Sequence, residues 1–150
     1  MVLDIYARND RSRTALGKVI GRLGPNDLSE MVDDTWRVSA VLGHLAVWDR
    51  YLEFRWRQAR DQGLLMPVLD VTLTTEVLND ALAPLLDGIG SILAGQLTLS
   101  AAESIDTFVA SLPKECIDAA CHEGRVWMVD RSIHRTEHLH AIEAARSRGR

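Results

Sequence analysis

The chain has 150 residues, of which 47% are hydrophobic and 25% charged. This composition is typical of a globular protein and excludes a disordered or collagen-like chain, so we expect a single domain over residues 1–150. The 17 basic residues stand against 21 acidic ones, and the net charge of −4 argues against binding to nucleic acid or to an anionic membrane.

Helical periodicity dominates the apolar pattern, whereas alternating β-branched runs are nearly absent. We predict a first helix over Leu3–Arg22, ended by Gly24 and Pro25, and a second over Trp36–Gln62. A third helix is expected over Glu76–Leu99, although Pro84 should kink or divide it and its glycines weaken it.

The remaining chain predicts one short and one long helix. Ser100-Ala-Ala-Glu103 has the S-x-x-E form of a capping box and predicts a short helix to Leu112. Residues 113–124 are interpreted as a connection, and the last helix is expected over Arg125–Ser147. Four long helices must bury their apolar stripes against one another, which predicts an all-α four-helix bundle with a short extra helix between the third and fourth.

Three histidines are predicted to face the interior of this bundle. His134 and His138 are four residues apart, so they lie on one face of the last helix, in a stripe with Trp127 and Ile142. His44 is four residues after Ala40 and four before Trp48, which puts it on the apolar stripe of the second helix.

Neutral imidazoles that converge in an interior are well suited to hold a divalent cation, which also satisfies their ring nitrogens. The structural alternative is that each ring is a core residue hydrogen-bonded to a neighbour. We predict a metal site made by His44, His134 and His138, with zinc or nickel as the first choice and iron or manganese as alternatives. Cys116, Cys121 and His122 form a weaker candidate because their spacing is loose and no fourth ligand is near.

Two segments resemble a known superfamily. The run Trp36-Arg-Val-Ser-Ala-Val-Leu-Gly-His44-Leu-Ala-Val-Trp-Asp resembles the histidine-bearing helix of the DinB/YfiT-like metalloenzymes, which include mycothiol-dependent maleylpyruvate isomerases. The run His134-Arg-Thr-Glu-His138-Leu-His-Ala-Ile is similar to the H-x-x-x-H helix of that superfamily. The resemblance implies an up-down-down-up bundle with the metal on the same three histidines. It also implies a frequent homodimer and, among characterised members, thiol-dependent isomerases and S-transferases.

These observations lead to one function hypothesis and one alternative. We expect a metal-dependent enzyme that acts on a small molecule, either a thiol S-transferase or isomerase, or a hydrolase. The S-transferase or isomerase would use a low-molecular-weight thiol as cofactor. Trp48 and Trp127 are candidates for substrate contact, and Arg131 for anchoring an anionic group. The alternative is a non-catalytic module that binds metal or a hydrophobic ligand.

The chain is also expected to be cytoplasmic and not membrane-bound. No stretch approaches the roughly 18 apolar residues of a membrane span. Asp4 stands where a signal peptide would be basic and then apolar. Two cysteines cannot make a multi-bridge disulfide scaffold.

Overall fold

The computed structural model describes residues 2–68, 75–89 and 91–148, and these residues form helices joined by short connections, with no β-strand. The all-helical prediction is thus confirmed. No helix in the described part carries an apolar stretch long enough to cross a membrane. The elements are α1 (Val2–Ile20), α2 (Pro25–Ser29), α3 (Val38–Asp61), α4 (Thr75–Asp87), α5 (Ser91–Ser111), α6 (Lys114–His122), a 3-10 turn (Val126–Met128) and α7 (Ser132–Arg148).

Helix α3 contacts α2, α4, α5 and α7, and its contact with α5 is the most extensive in the structure. Residues 38–46 of α3 are all buried. Helix α1 packs against α5 and α7. Two buried apolar clusters result, one around Ile5, Leu52, Trp56, Ile105 and Met128, the other around Leu16, Leu42, Leu45, Leu139 and Ile142.

The predicted third helix is wrong in its boundaries. The chain forms α4, which continues past Pro84 to Asp87, and then a second helix, α5, which runs without interruption through Ser100 to Ser111. The S-x-x-E motif therefore lies inside a helix and does not cap one. Ala101, Ala102 and Ile105 are fully buried, and this continuous apolar stripe outweighs the local capping signal.

Three further boundaries differ from the sequence-based prediction. Pro25, which was predicted only to end the first helix, begins α2. Proline suits the first position of a helix, and the Gly24 N–H donates to the Asp27 carboxylate in the first turn. The predicted connection at 113–124 contains helix α6. The last helix begins at Ser132 and not at Arg125, so Trp127 lies in the preceding 3-10 turn.

A short loop joins α2 to α3 and shapes one side of the site. An isolated antiparallel bridge pairs Met31 with Arg37, and the Val32 N–H donates to the Trp36 carbonyl at 2.8 Å. The Asp33 carboxylate accepts from the backbone N–H groups of Thr35 and Trp36, both at 2.8 Å. These bonds fix the Trp36 indole and the Asp33 carboxylate next to the first turns of α3.

Candidate metal centre

Helix α3 holds His44 in a buried position between two indoles. The ring is 7% exposed. The Trp36 ring packs edge-on with its centroid 5.3 Å away, and the Trp48 ring lies 6.2 Å away, also edge-on. The imidazole thus packs against two indole rings and has little contact with solvent.

Helix α7 presents His134 and His138 one turn apart, facing His44. The Nε2 atom of His134 lies 3.1 Å from the Nε2 of His44 and 3.1 Å from the Nε2 of His138. All three rings offer a nitrogen within 4.8 Å of the others. The structure thus brings together the three residues that the sequence predicted, from helices about 90 residues apart in the chain.

The surroundings keep these imidazoles neutral. Burial, with help from the neighbouring His138 and Arg131, lowers the pKa of His44 to about 4. Burial and the Arg131 guanidinium lower the pKa of His134 to about 2. The pKa of His138 is also lowered by burial, although the Glu137 and Asp33 carboxylates oppose this effect. Neutral imidazole is the form that coordinates a metal.

The donor set fits a divalent cation. At the zinc–nitrogen distance of about 2.0–2.1 Å, nitrogens 3.1 Å apart subtend an angle of roughly 95–100° at the metal. That angle lies between the values of octahedral and tetrahedral coordination. Three protein ligands leave at least one coordination position for water or substrate, as in catalytic zinc sites. The cluster could therefore hold a metal ion.

Arg131 determines which nitrogen of His134 carries the proton. A terminal guanidinium nitrogen of Arg131 lies 3.0 Å from the His134 Nδ1. Since arginine only donates, Nδ1 accepts, and the proton of the neutral ring is on Nε2. This Nε2 must lose its proton before it can bind a metal. For the ring to stay neutral, Nδ1 must receive the proton while Arg131 turns away, so Arg131 competes with a metal for His134.

A buried ionic network behind the histidines fixes Arg131, and the sequence analysis did not identify it. The Asp49 carboxylate is fully buried and accepts from Arg131 Nε at 2.7 Å and from Arg135 at 2.9 and 3.2 Å. Arg135, also fully buried, bonds Asp106 at 2.9 Å. Burial by itself lowers the pKa of the Arg135 guanidinium. The Asp49 and Asp106 carboxylates have the larger combined effect and raise this pKa above its ordinary value. The four-residue spacing of Arg131 and Arg135 within the predicted last helix was the available signal.

A cavity of about 860 Å³ opens beside the histidine cluster. Trp48, Trp127 and Arg131, the predicted substrate contacts, all line it. The Trp48 Nε1–H donates to the side-chain oxygen of Asn79 at 3.0 Å, which links α3 to α4 across the cavity wall. Arg131 is only 2% exposed, and its nitrogens bond Asp49, the Trp127 carbonyl and His134. This geometry argues against its predicted role as an anchor for an anionic group.

The second candidate metal site has no support from the geometry. Cys116 is buried and Cys121 half-buried, both as free thiols, while the His122 side chain is 89% exposed. Burial raises the pKa of the Cys116 thiol, which disfavours the thiolate that a metal needs. Within residues 2–68, 75–89 and 91–148, the histidine cluster is the group whose donor atoms converge.

Comparisons with known proteins identify no relative. No known protein family, no curated protein and no solved structure matches this chain. The geometry of the site is therefore the guide to function.

Proposed function

We propose that this protein is a divalent-metal-dependent enzyme that holds its metal with His44, His134 and His138 and a small organic substrate in the adjoining cavity. The observation that carries the proposal is the convergence of three neutral imidazoles at the wall of an open cavity of about 860 Å³. Imidazole ligands suit zinc, nickel, copper and iron alike, and we propose zinc or nickel, with iron or manganese as the alternative.

The chemistry follows from the metal and from the residues around it. A divalent cation supplies Lewis acidity, which polarises a substrate carbonyl and lowers the pKa of a coordinated water or thiol. The indoles of Trp48 and Trp127 provide apolar surface for the substrate and reduce the access of water. Glu137 lies on the cavity wall close enough to act on His138 and can accept a proton there. These roles fit a hydrolase, or an isomerase or S-transferase that uses a thiol co-substrate.

As part of the same proposal, the helices form one domain, a four-helix bundle of the DinB-like type with up-down-down-up order. Its support is the length of α1, α3, α5 and α7, which have 19, 24, 21 and 17 residues, and the apolar cluster around Leu16, Leu42 and Ile142, to which all four helices contribute. A cytoplasmic location, a homodimer and the absence of nucleic-acid or membrane partners belong to the same proposal. The non-catalytic alternative predicts a cavity sealed by large side chains. The cavity beside the histidines is open, which favours the enzyme.

The test is the metal content of protein produced without an affinity tag. We expect about one zinc or nickel per chain by mass spectrometry of the elements, and loss of that metal in His134→Ala. His140→Ala is the matched control, because His140 is exposed on the same helix. Circular dichroism shows whether each variant is folded. Full metal occupancy in folded His134→Ala would overturn the proposal.

A further inference from the structure

The cavity wall carries four carboxylates from three separate parts of the chain. Glu76 and Asp80 lie one turn apart on α4, Glu137 lies on α7, and Asp33 lies in the loop before α3. All four are exposed. Asp33 and Glu137 line the same cavity as the three histidines.

The basic residues near the cavity do not balance this charge. Among the described lining residues Arg131 is the cationic one, and its charge is paired with the Asp49 carboxylate behind it. Arg148 approaches the rim but donates to the Val32 carbonyl at 2.9 Å. No ion pair within residues 2–68, 75–89 and 91–148 joins the carboxylates of Glu76, Asp80 or Glu137 to a basic side chain. The field inside the cavity is therefore negative.

The same cavity is lined by three indoles. Trp36 and Trp48 both pack edge-on against His44, and Trp127 has 36% of its surface exposed. Indole faces attract organic cations through the ring quadrupole. In the described part of the chain, the arginines that stack on an aromatic ring do so on Phe108, away from the cavity. No described arginine stacks on the three indoles, and the exposed Trp127 ring can meet a cation that arrives from solution.

We infer that the cavity accepts a substrate bearing an alkylammonium group next to an apolar or aromatic moiety, with the ammonium between the carboxylates and the indoles. This inference rests on the proposed function in taking the cavity for the substrate site. A bound divalent cation does not neutralise four carboxylates, so the preference holds for the metal-loaded protein as well. The same lining disfavours anionic thiols and carboxylic acids, and a thiol co-substrate here carries an amine.

The test compares 2-phenylethylamine with 3-phenylpropionate, which share the phenyl group and the length of the chain and differ in charge. Binding is measured by calorimetry on the chelator-treated protein at pH 7, since a carboxylate can coordinate a metal directly. We expect the amine to bind at least about tenfold more tightly at low salt, and the difference to shrink as salt screens the carboxylates. Equal binding, or tighter binding of the carboxylate, would overturn the inference.

Matched variants locate the effect. Glu76→Gln with Asp80→Asn should reduce the preference for the amine severalfold, whereas Glu115→Gln, on the exposed surface of α6, should leave it unchanged. An amine preference that survives unaltered in the double variant contradicts the inference. Because these measurements need no metal, they separate the two proposals: a protein that binds the amine but no metal retains this inference and refutes the proposed function.

Discussion

Replacement of Asp49 by asparagine tests whether the buried ionic network behind the histidine site stabilises the fold. The Asp49 carboxylate is fully buried between two guanidinium groups, with its shortest bonds at 2.7 Å to Arg131 and 2.9 Å to Arg135. An amide keeps the shape but removes the negative charge, and its NH₂ group faces a donor. Arg135 retains Asp106, whereas Arg131 loses the one carboxylate it contacts in the described structure.

The expected cost is large because a buried cation is left uncompensated. Removing one partner of a buried ion pair costs about 3–5 kcal/mol. For a domain of about 150 residues, each kcal/mol lowers the melting temperature by roughly 2–4 °C, so Asp49→Asn should melt about 6–20 °C below the wild type. The free-energy cost of the substitution is a large fraction of the about 5–15 kcal/mol by which a typical domain is stable.

Thermal and urea denaturation followed by circular dichroism measure this effect. Asp118→Asn is the matched control, because Asp118 pairs with Lys114 on the exposed face of α6 and the change should leave the melting temperature unaltered. If Asp49→Asn melts within about 2 °C of this control, the network does not stabilise the fold and the reasoning from burial is wrong.

Two further predictions concern the histidines themselves. In chelator-treated protein the free energy of unfolding should fall as the pH decreases from about 6.5 toward 4, because unfolded His44 takes up a proton near pH 6.5 whereas the folded ring does so only near pH 4. The slope of the free energy of unfolding against pH approaches about 1.4 kcal/mol per pH unit for each such histidine. Urea titrations at pH 7, 6 and 5 should show a smaller slope in His44→Ala than in His140→Ala. Equal slopes in the two variants contradict the prediction. Arg131→Met should bind Zn²⁺ at least about tenfold more tightly, or by about 1.4 kcal/mol, because a competing donor and a positive charge next to His134 are removed. Competition with a chromogenic chelator measures this affinity, and weaker binding by the variant would refute the role assigned to Arg131.

The amino-acid sequence alone was sufficient for the properties that depend on local periodicity. The 3.6-residue repeat identified the helical class, placed His134 and His138 on one face, and put His44 on the apolar stripe of its helix. Helix ends were less accessible to this reasoning. The capping motif at Ser100 has the correct local form, but burial of Ala101 and Ala102 against neighbouring helices keeps the chain helical through it.

Tertiary structure decided the features that join distant parts of the chain. The meeting of His44 with His134 depends on how α3 packs against α7, which no local pattern specifies. Arg131 could be placed near the site from its spacing, yet its partner Asp49 lies 82 residues away, so only the folded chain shows that the guanidinium is already occupied. The sign of the charge in the cavity depends in the same way on packing, because its carboxylates come from a loop and two helices that tertiary contacts bring together.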